Sequence, residues 1–470
     1  MNGRGAPTIA FAGGGTAGHL YPALAVAEAL RGEIPDIRIV FFTTSRPIDD
    51  AVLGGRGSCR ASPSAEAQKE RIISLPQPVS SWRKAPWTWP RFVRDWRASM
   101  RLCRAGLRAY RPIMVIGSGG YASMPPLFAA RELGIPTALL NPDAIPGRAN
   151  RHLGPQADLI FAQWEDTRRY FPRHRGFCET GCPVRPEFRM ADHQRGLARF
   201  GLDSARRTLV VTGASQGART INDAVLAMIR EIVGMAEWQV LHLTGKADAH
   251  RVLTAYRGAL GPDAVAGHSA PEDVLSVPHL AQKGARDGEP VPGPAVVRVV
   301  PYTEHMADAL AAADLVIARA GASTLAELTA LGRASILMPY PFGRDQHQLV
   351  NARVLVRAGA ARLVRDRIHT AANVAALRTV LLPLLNDRFA LERMSAAARR
   401  SGTADAARDI AERVLECACG GAHVAPGASP NAVRRSAARA GGTPAPQTGE
   451  MRRAPAGSLA LGAAAIPERD

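Results

Sequence analysis

One pattern, met twice, constrains the fold more than any other. Residues 9–30 read IAFAGGGTAGHLYPALAVAEAL, a short apolar run, a glycine-rich turn and a segment of helical periodicity. From Thr208 the chain repeats the arrangement with TLVVTGASQGARTINDAVLAMI. A strand, glycine turn and helix in that order aim backbone N–H groups and the positive end of a helix dipole at an anion, most often a phosphate. The first turn is not a nucleotide-hydrolase P-loop, because no Gly-Lys-Ser/Thr follows. It is also a poor dinucleotide fingerprint, since no acidic residue ends the second strand in IRIVFFTTS.

Around these units, short apolar runs alternate with helical segments. The first half contains TIAFAG, IRIVFFTT, RIISLP, IMVIGSGG, PTALLN and ADLIFAQ; the second contains WQVLHLTGK, AVVRVVPYT, ADLVIARAGASTLAELTALG and ASILMPYPF. This alternation predicts an α/β chain with two doubly wound, Rossmann-like domains facing a cleft, ligands binding at the C-terminal ends of the strands. The expected organisation is an N-terminal domain over 1–183, a linker over 184–206 announced by the prolines of TGCPVRPEF, and a second domain over 207–371. C-terminal helices follow over 372–419. Residues 257–296, rich in Gly, Pro and charge, read as a surface insertion, and 420–470, rich in Ala, Pro, Gly and Arg, as a disordered tail.

No run of eighteen apolar residues occurs and MNGRGAPT has no apolar signal core, so a cytoplasmic protein is expected. Its cysteines, Cys59, Cys103, Cys178, Cys182, Cys417 and Cys419, match neither a disulfide framework nor a zinc site and are expected to be reduced. The net charge of +18 calls for an anionic partner. From Trp82 to Arg111 nine Lys/Arg stand against one acid, Asp95, together with four of the six tryptophans. A helix from Trp89 lines up Trp89, Phe92, Val93, Trp96, Met100, Cys103, Leu107 and Tyr110 at three- and four-residue steps, with arginines between them. Its C-terminal half is expected to cover a sheet. Its first turns, with Trp82, Trp87, Trp89, Arg91 and Arg94, suit an anionic membrane surface. No nucleic-acid module is visible, and nucleic acid is not an expected partner.

Four clusters fall at predicted strand ends. They are the opening loop, GSGGYASMPPLFAA (117–130), GASQGAR (213–219) and ARAGASTLAELTALG (318–332). Ser215 and Gln216 are expected at or near a helix N-cap, suited to a pyrophosphate. Glu327, about one turn inside its helix, is placed to accept hydrogen bonds from two vicinal hydroxyls, as a ribose presents.

Together, GGTAGH-x-x-PALA-x-A, GSGGY-x-S-x-P, G-x-PVR, G-x-SQGAR-x-x-N and R-x-GA-x-T-x-AE resemble the bacterial peptidoglycan enzymes that transfer N-acetylglucosamine from UDP-GlcNAc to undecaprenyl-pyrophosphoryl-MurNAc-pentapeptide (lipid I), giving lipid II. The resemblance covers about residues 8–415. It implies the GT-B glycosyltransferase fold, inversion at the anomeric carbon, and docking of the N-terminal domain on the cytoplasmic face of the inner membrane, with other cell-wall synthesis proteins as further partners. It also implies that Thr16, Ala17 and Gly18 approach the donor sugar, that Arg185 and Ser215 meet the diphosphate, and that Tyr302 lies by the uracil. Ala322, Ser323, Thr324, Leu325, Ala326 and Glu327 hold phosphate and ribose, while His347 and Gln348 stand at the sugar. Gly14, Gly15, Gly119, Gly120 and Tyr121 cradle the acceptor's pyrophosphate, and His19 is the candidate base. No cofactor is implied, and the lack of an Asp-x-Asp motif favours transfer without a metal.

The chain departs from the family in LNPDAIPG, where Asn141 and Asp143 replace an expected Glu and Asn. Ala17 replaces a glycine, and His347 a common Gln. Asp143 could contact a sugar hydroxyl, act as a base or point away. Rival readings are another GT-B transferase acting on a lipid such as diacylglycerol, and a non-catalytic membrane-bound scaffold, which would need neither Glu327 nor paired phosphate loops.

Overall fold

The computed structural model describes residues 6–57, 70–76, 89–214, 217–267, 296–343, 346–403 and 405–418. Trp82, Trp87, Ser215, Gln216, Cys59, Cys419 and the expected tail lie outside them. The cysteines within them, Cys103, Cys178, Cys182 and Cys417, are free thiols.

The first sheet comprises β1 (Thr8–Gly13), β2 (Arg38–Thr44), β3 (Glu70–Leu75), β4 (Met114–Gly119), β5 (Thr137–Asn141), β6 (Leu159–Ala162) and β7 (Phe177–Glu179). Its order is β3-β2-β1-β4-β5-β6-β7, all parallel. Every residue of β1 and β4 is buried, as parallel strands covered on both faces require. The helices are α1 (Ala17–Glu33), α2 (Pro47–Gly57), α3 (Trp89–Tyr110), α4 (Met124–Glu132) and α5 (Arg148–Leu153).

A second parallel sheet comprises β8 (Arg207–Thr212), β9 (Trp238–Leu243), β10 (Val265–Gly267), β11 (Val297–Val300), β12 (Leu315–Ala318), β13 (Ala334–Leu337) and β14 (Ala361–Leu363), in the order β10-β11-β9-β8-β12-β13-β14. Its helices are α6 (His193–Phe200), α7 (Arg219–Ala227), α8 (Ile229–Val233), α9 (Ala249–Leu260), α10 (Met306–Ala311), α11 (Ala322–Ala330), α12 (His347–Arg357), α13 (Thr370–Asn386) and α14 (Arg388–Ser401), followed by α15 (Ala406–Ala418). Strand order reverses beside β1 and beside β8, and at such switch points the flanking loops diverge to open a crevice. The four sequence clusters follow β1, β4, β8 and β12, so two fall at each switch point.

Several expected boundaries move. The helix expected to open near Ser215 starts at Arg219, with Ala218 at its N-cap. Ala214 (φ 59) and Gly217 (φ 70) are left-handed, and a Cβ on Gly217 would stand 2.3 Å from the Thr244 carbonyl, so the chain turns tightly before it can coil. Of the insertion expected over 257–296, residues 257–260 belong to α9, which Val252 and Tyr256 anchor, and Val265–Gly267 to β10, which pairs with β11; residues 268–295 lie outside the described ones. Within the expected linker, α6 buries Leu197 and Phe200 in the second domain's core, while Arg195 and Arg199 clamp the buried Asp308 of α10. The last helix returns to the first domain, where Ile410, Ala411 and Val414 pack with α1 and β1 residues.

The Trp89-initiated periodicity divides α3 into two halves. Met100, Cys103 and Leu107 are buried, and Gly106 approaches Phe42 and Ile73 so closely that a Cβ would meet them at 3.2 and 2.8 Å. At the N-terminal end Trp89 and Val93 remain 49% and 41% exposed, and Tyr110, the last residue of α3, is exposed as well. Among the described residues, no helix is long and apolar enough to cross a membrane.

Candidate active site

The loop after β1 is held from below. Gly15 N–H donates to Asp49 Oδ1 at 2.7 Å, and Asp49 Oδ2 accepts from Thr43 Oγ1 at 2.9 Å, Thr44 N at 3.1 Å and the Thr44 hydroxyl. The Gly15 amide is therefore committed to a buried carboxylate, which corrects the expectation that the whole turn presents free N–H groups. Glycine is needed here for two reasons. A Cβ on Gly14 would stand 2.6 Å from both Asp49 Oδ2 and Thr43 Oγ1, and Gly15 has φ +82. Thr16 is the N-cap of α1 with no side-chain cap bond, and Ala17 opens the helix.

His19 stands between the two glycine loops of the first domain. Its Nδ1 lies 3.2 Å from the Gly14 carbonyl, and Cβ atoms on Gly119 or Gly120 would meet its ring at 3.2–3.3 Å. A carbonyl only accepts, so Nδ1 carries the proton and Nε2 keeps the lone pair in the neutral ring. Gly119 and Gly120 have φ 103 and 77. Tyr121 follows them, but its ring packs against Phe92 and Trp96, and burial pushes its phenol up to about 12, with Asp95 adding to the rise. Its side chain is thus committed to α3, leaving its backbone on the loop.

Asp143 faces the second domain. Its Oδ1 accepts from Asn351 Nδ2 at 2.8 Å, while Asn351 Oδ1 accepts from Ala144 N at 2.9 Å. Beside this pair, His347 Nδ1 lies 3.2 Å from the Ile145 carbonyl, so α12 of the second domain grips residues 143–145 of the first. Asn141 donates to the Asp143 carbonyl and accepts from Asn150 Nδ2, while Asn150 Oδ1 is buried with no partner among the described residues. Gln348 Oε1 accepts from Tyr340 N at 2.9 Å.

The helix α11 starts after Gly321 with no side-chain cap, so the first-turn amides at Ala322, Ser323 and Thr324 lack intrahelical acceptors. A Cβ on Gly18 would lie 3.8 Å from Ser323 Oγ, which brings the α1 and α11 N-termini together. Leu325 and Ala326 are buried behind them. Half-buried Glu327 has its carboxyl raised to about 7 by burial, with the Arg185 charge pulling the other way. The Arg185 guanidinium lies 4.8 Å from the Tyr21 ring centre. Burial, followed by Tyr21 and Glu304, raises the Tyr302 phenol, and Lys246 Nζ sits 4.9 Å over the Tyr302 ring.

Thus His19, Gly18, Arg185, Ser323, Glu327 and Tyr302 converge from both domains, while His347 and Asn351 of α12 hold Ile145 and Asp143. Sequence reasoning missed Asp49, Tyr21, Asn150, Asn351 and Lys246. Asp49 had one available signal, a carboxylate just past the paired threonines that end β2.

Two Rossmann-like domains around a shared cleft give the chain the GT-B fold, and family models make it a glycosyltransferase. Residues 9–162 match the glycosyltransferase family 28 N-terminal domain and residues 276–414 the glycosyltransferase family 28 C-terminal domain. The chain belongs to the family of UDP-N-acetylglucosamine–N-acetylmuramyl-(pentapeptide) pyrophosphoryl-undecaprenol N-acetylglucosamine transferases. It is 33% identical to the relative of that name from Desulforamulus reducens, over 85% of this chain and 95% of the relative. The proteins of that name from Moorella thermoacetica and Chlorobaculum tepidum are 34% and 35% identical, each over 87% of this chain and 98% of theirs. The crystal structure of Acinetobacter baumannii MurG shares the fold at a TM-score of 0.60, with 22% identity over 87% of this chain and 99% of that one.

Proposed function

We infer that this chain transfers N-acetylglucosamine from UDP-GlcNAc to undecaprenyl-pyrophosphoryl-MurNAc-pentapeptide, giving lipid II for peptidoglycan synthesis. Besides family membership, the observation that supports this reading is the approach of Gly18, the neighbour of His19 in α1, to the uncapped start of α11. On this reading His19 serves as base and the start of α11 as anion site on opposite sides of one cleft.

Displacement at the anomeric carbon develops positive charge on the sugar and negative charge on the leaving diphosphate, by analogy with glycoside cleavage. The first-turn amides of α11 and the Arg185 guanidinium supply fixed positive potential where the diphosphate leaves, a role that requires no metal. The Glu327 carboxylate accepts from the ribose hydroxyls, Tyr302 borders the uracil, and Gln348 donates to the sugar. On the other side, His19 Nε2 takes the proton of the attacking acceptor hydroxyl, and the Gly14–Gly15 and Gly119–Gly120 turns flank the acceptor's pyrophosphate. Attack from the face opposite UDP inverts the anomeric centre.

Transfer of radiolabelled GlcNAc to a lipid I analogue, with and without EDTA, tests this assignment. We expect EDTA-resistant transfer by the parent and a loss of about 10²–10⁴-fold in His19→Ala, the usual contribution of a general base. Donor binding without transfer would mean a different acceptor.

The membrane partner belongs to the same reading. Along the outer face of α3 runs a groove of about 1100 Å³ lined by Trp89, Val93, Arg97, Arg101 and Phe128 among others. Exposed aromatic and basic side chains on one helix suit the anionic cytoplasmic face of the inner membrane. Arg94 is partly neutralised by Asp95, 3.1 Å away, so Arg91 and Arg97 are the better probes. The double variant Arg91→Ala/Arg97→Ala should weaken binding to phosphatidylserine vesicles by about 2 kcal/mol, roughly thirtyfold, at 0.1 M salt. Unchanged co-sedimentation would remove α3 from the docking surface.

A further inference from the structure

Arg185 enters the cleft from the segment joining the two sheets, and its guanidinium lies against two aromatic rings. Its Cζ lies 4.8 Å from the centre of the Tyr21 ring and 5.2 Å from that of Phe188. Phe188 is buried in a short turn of the same segment, Pro186–Phe188, whereas Tyr21 comes from α1 in the other domain. Nearby, Glu187 Oε1 lies 3.5 Å from Arg185 Nη1 and its side chain is 48% exposed. The Nε of Arg185 is buried with no hydrogen-bond partner among the described residues, so the planar group is held by ring faces rather than by a fork of acceptors.

We propose that Tyr21 is a positioning residue for donor binding: its ring holds the Arg185 guanidinium in the cleft, against the pull of Glu187, where it meets the diphosphate of a nucleoside-diphosphate sugar. This rests on the donor reading given above. A guanidinium on a shielded aromatic face is attracted by the negative ring quadrupole, while an ion pair open to solvent gains little and is screened by salt. With both rings in place the stacked position wins and the N–H groups stay available to a ligand. Without the Tyr21 ring, one face opens to water and Glu187 becomes the stronger competitor for the same N–H groups. Because the ring and the arginine belong to different parts of the molecule, the diphosphate contact depends on α1 standing beside the linking segment.

Calorimetric titration of the full-length protein with UDP and with uridine tests the proposal, because only UDP carries the diphosphate. Tyr21→Ala and Tyr21→Leu should weaken UDP binding by roughly 3- to 30-fold, the range a partly desolvated cation–π contact supports. Uridine binding should not change, and Tyr21→Phe, which keeps the ring, should bind UDP as the parent does. Adding Glu187→Gln to Tyr21→Leu should recover part of the loss. Equal losses for UDP and uridine, a Tyr21→Phe defect as deep as that of Tyr21→Leu, or no loss at all would overturn the positioning role while leaving the donor reading intact. A parent protein that binds UDP no more tightly than uridine would overturn the donor reading at Arg185, and this proposal with it.

Discussion

Glu327→Ala should lose UDP-GlcNAc affinity by on the order of a hundredfold or more while remaining folded. Two hydroxyl hydrogen bonds to a charged acceptor are each worth about 1.5–3 kcal/mol, and alanine makes neither. Calorimetric titration at pH 8 measures the effect, and parent-like affinity in the variant would exclude Glu327 as the ribose acceptor. The pH dependence gives a second, independent test. Burial raises the Glu327 carboxyl to about 7, so the form that accepts two hydrogen bonds becomes dominant only above that pH. Donor affinity should therefore rise with pH through about 7, and Glu327→Gln should flatten the profile. Stability runs the opposite way. Between the ordinary glutamate value of 4.5 and about 7, the folded protein holds a proton that the unfolded chain has released, so the Glu327 contribution falls as pH rises through that window. Glu327→Gln should gain stability over the parent at pH 8 and show no gain at pH 4.

Asp49→Ala should destabilise the first domain by about 3 kcal/mol, because the Gly15 and Thr44 amides would lose their acceptor inside a packed site at about 1–3 kcal/mol each. Urea unfolding followed by tryptophan fluorescence reads the change. Asp49→Asn should not restore stability, since one of its amide faces would point N–H groups at donors. Transfer activity should fall in both variants, as the Gly14–Gly15 turn loses the carboxylate that sets its shape. A stability within about 0.5 kcal/mol of the parent would mean that the loop holds itself, as surface substitutions away from special features do.

These two residues differ in how far the sequence exposed them. Glu327 lies in a helix that opens after an apolar strand and a glycine, so local periodicity placed it at a strand end, and the motif around it supplied the role. Its raised carboxyl could not be read in the same way, since it depends on burial, on the opposing charge of Arg185 and on the like charge of Glu187. Asp49 looked like an ordinary acid in a helix's first turn. Only the parallel pairing of β1 with β2 carries it beneath Gly15, 34 positions away.

The same division separates the two ends of α3. Three- and four-residue spacing announced the helix and its apolar stripe, but whether a stripe position is buried depends on what lies opposite. Met100, Cys103 and Leu107 meet the sheet, whereas Trp89 and Val93 stay 49% and 41% exposed. Asp143 is a further case. Its departure from the family pattern was visible in the sequence, and its hydrogen bond to Asn351, 208 positions along the chain, was not.

Sequence alone determined the elements whose physics is local. The double strand, glycine turn and helix unit, the parallel two-domain frame, and the four loops at strand ends all follow from apolar periodicity and from backbone positions that suit glycine. The tertiary structure decided what meets across the sheets and across the cleft: Asp49 under the first loop, Tyr21 against Arg185, Asn351 on Asp143, and α15 returned to the first domain. Such contacts are set by strand order and side-chain burial, and neither is encoded within a few residues of the groups they join.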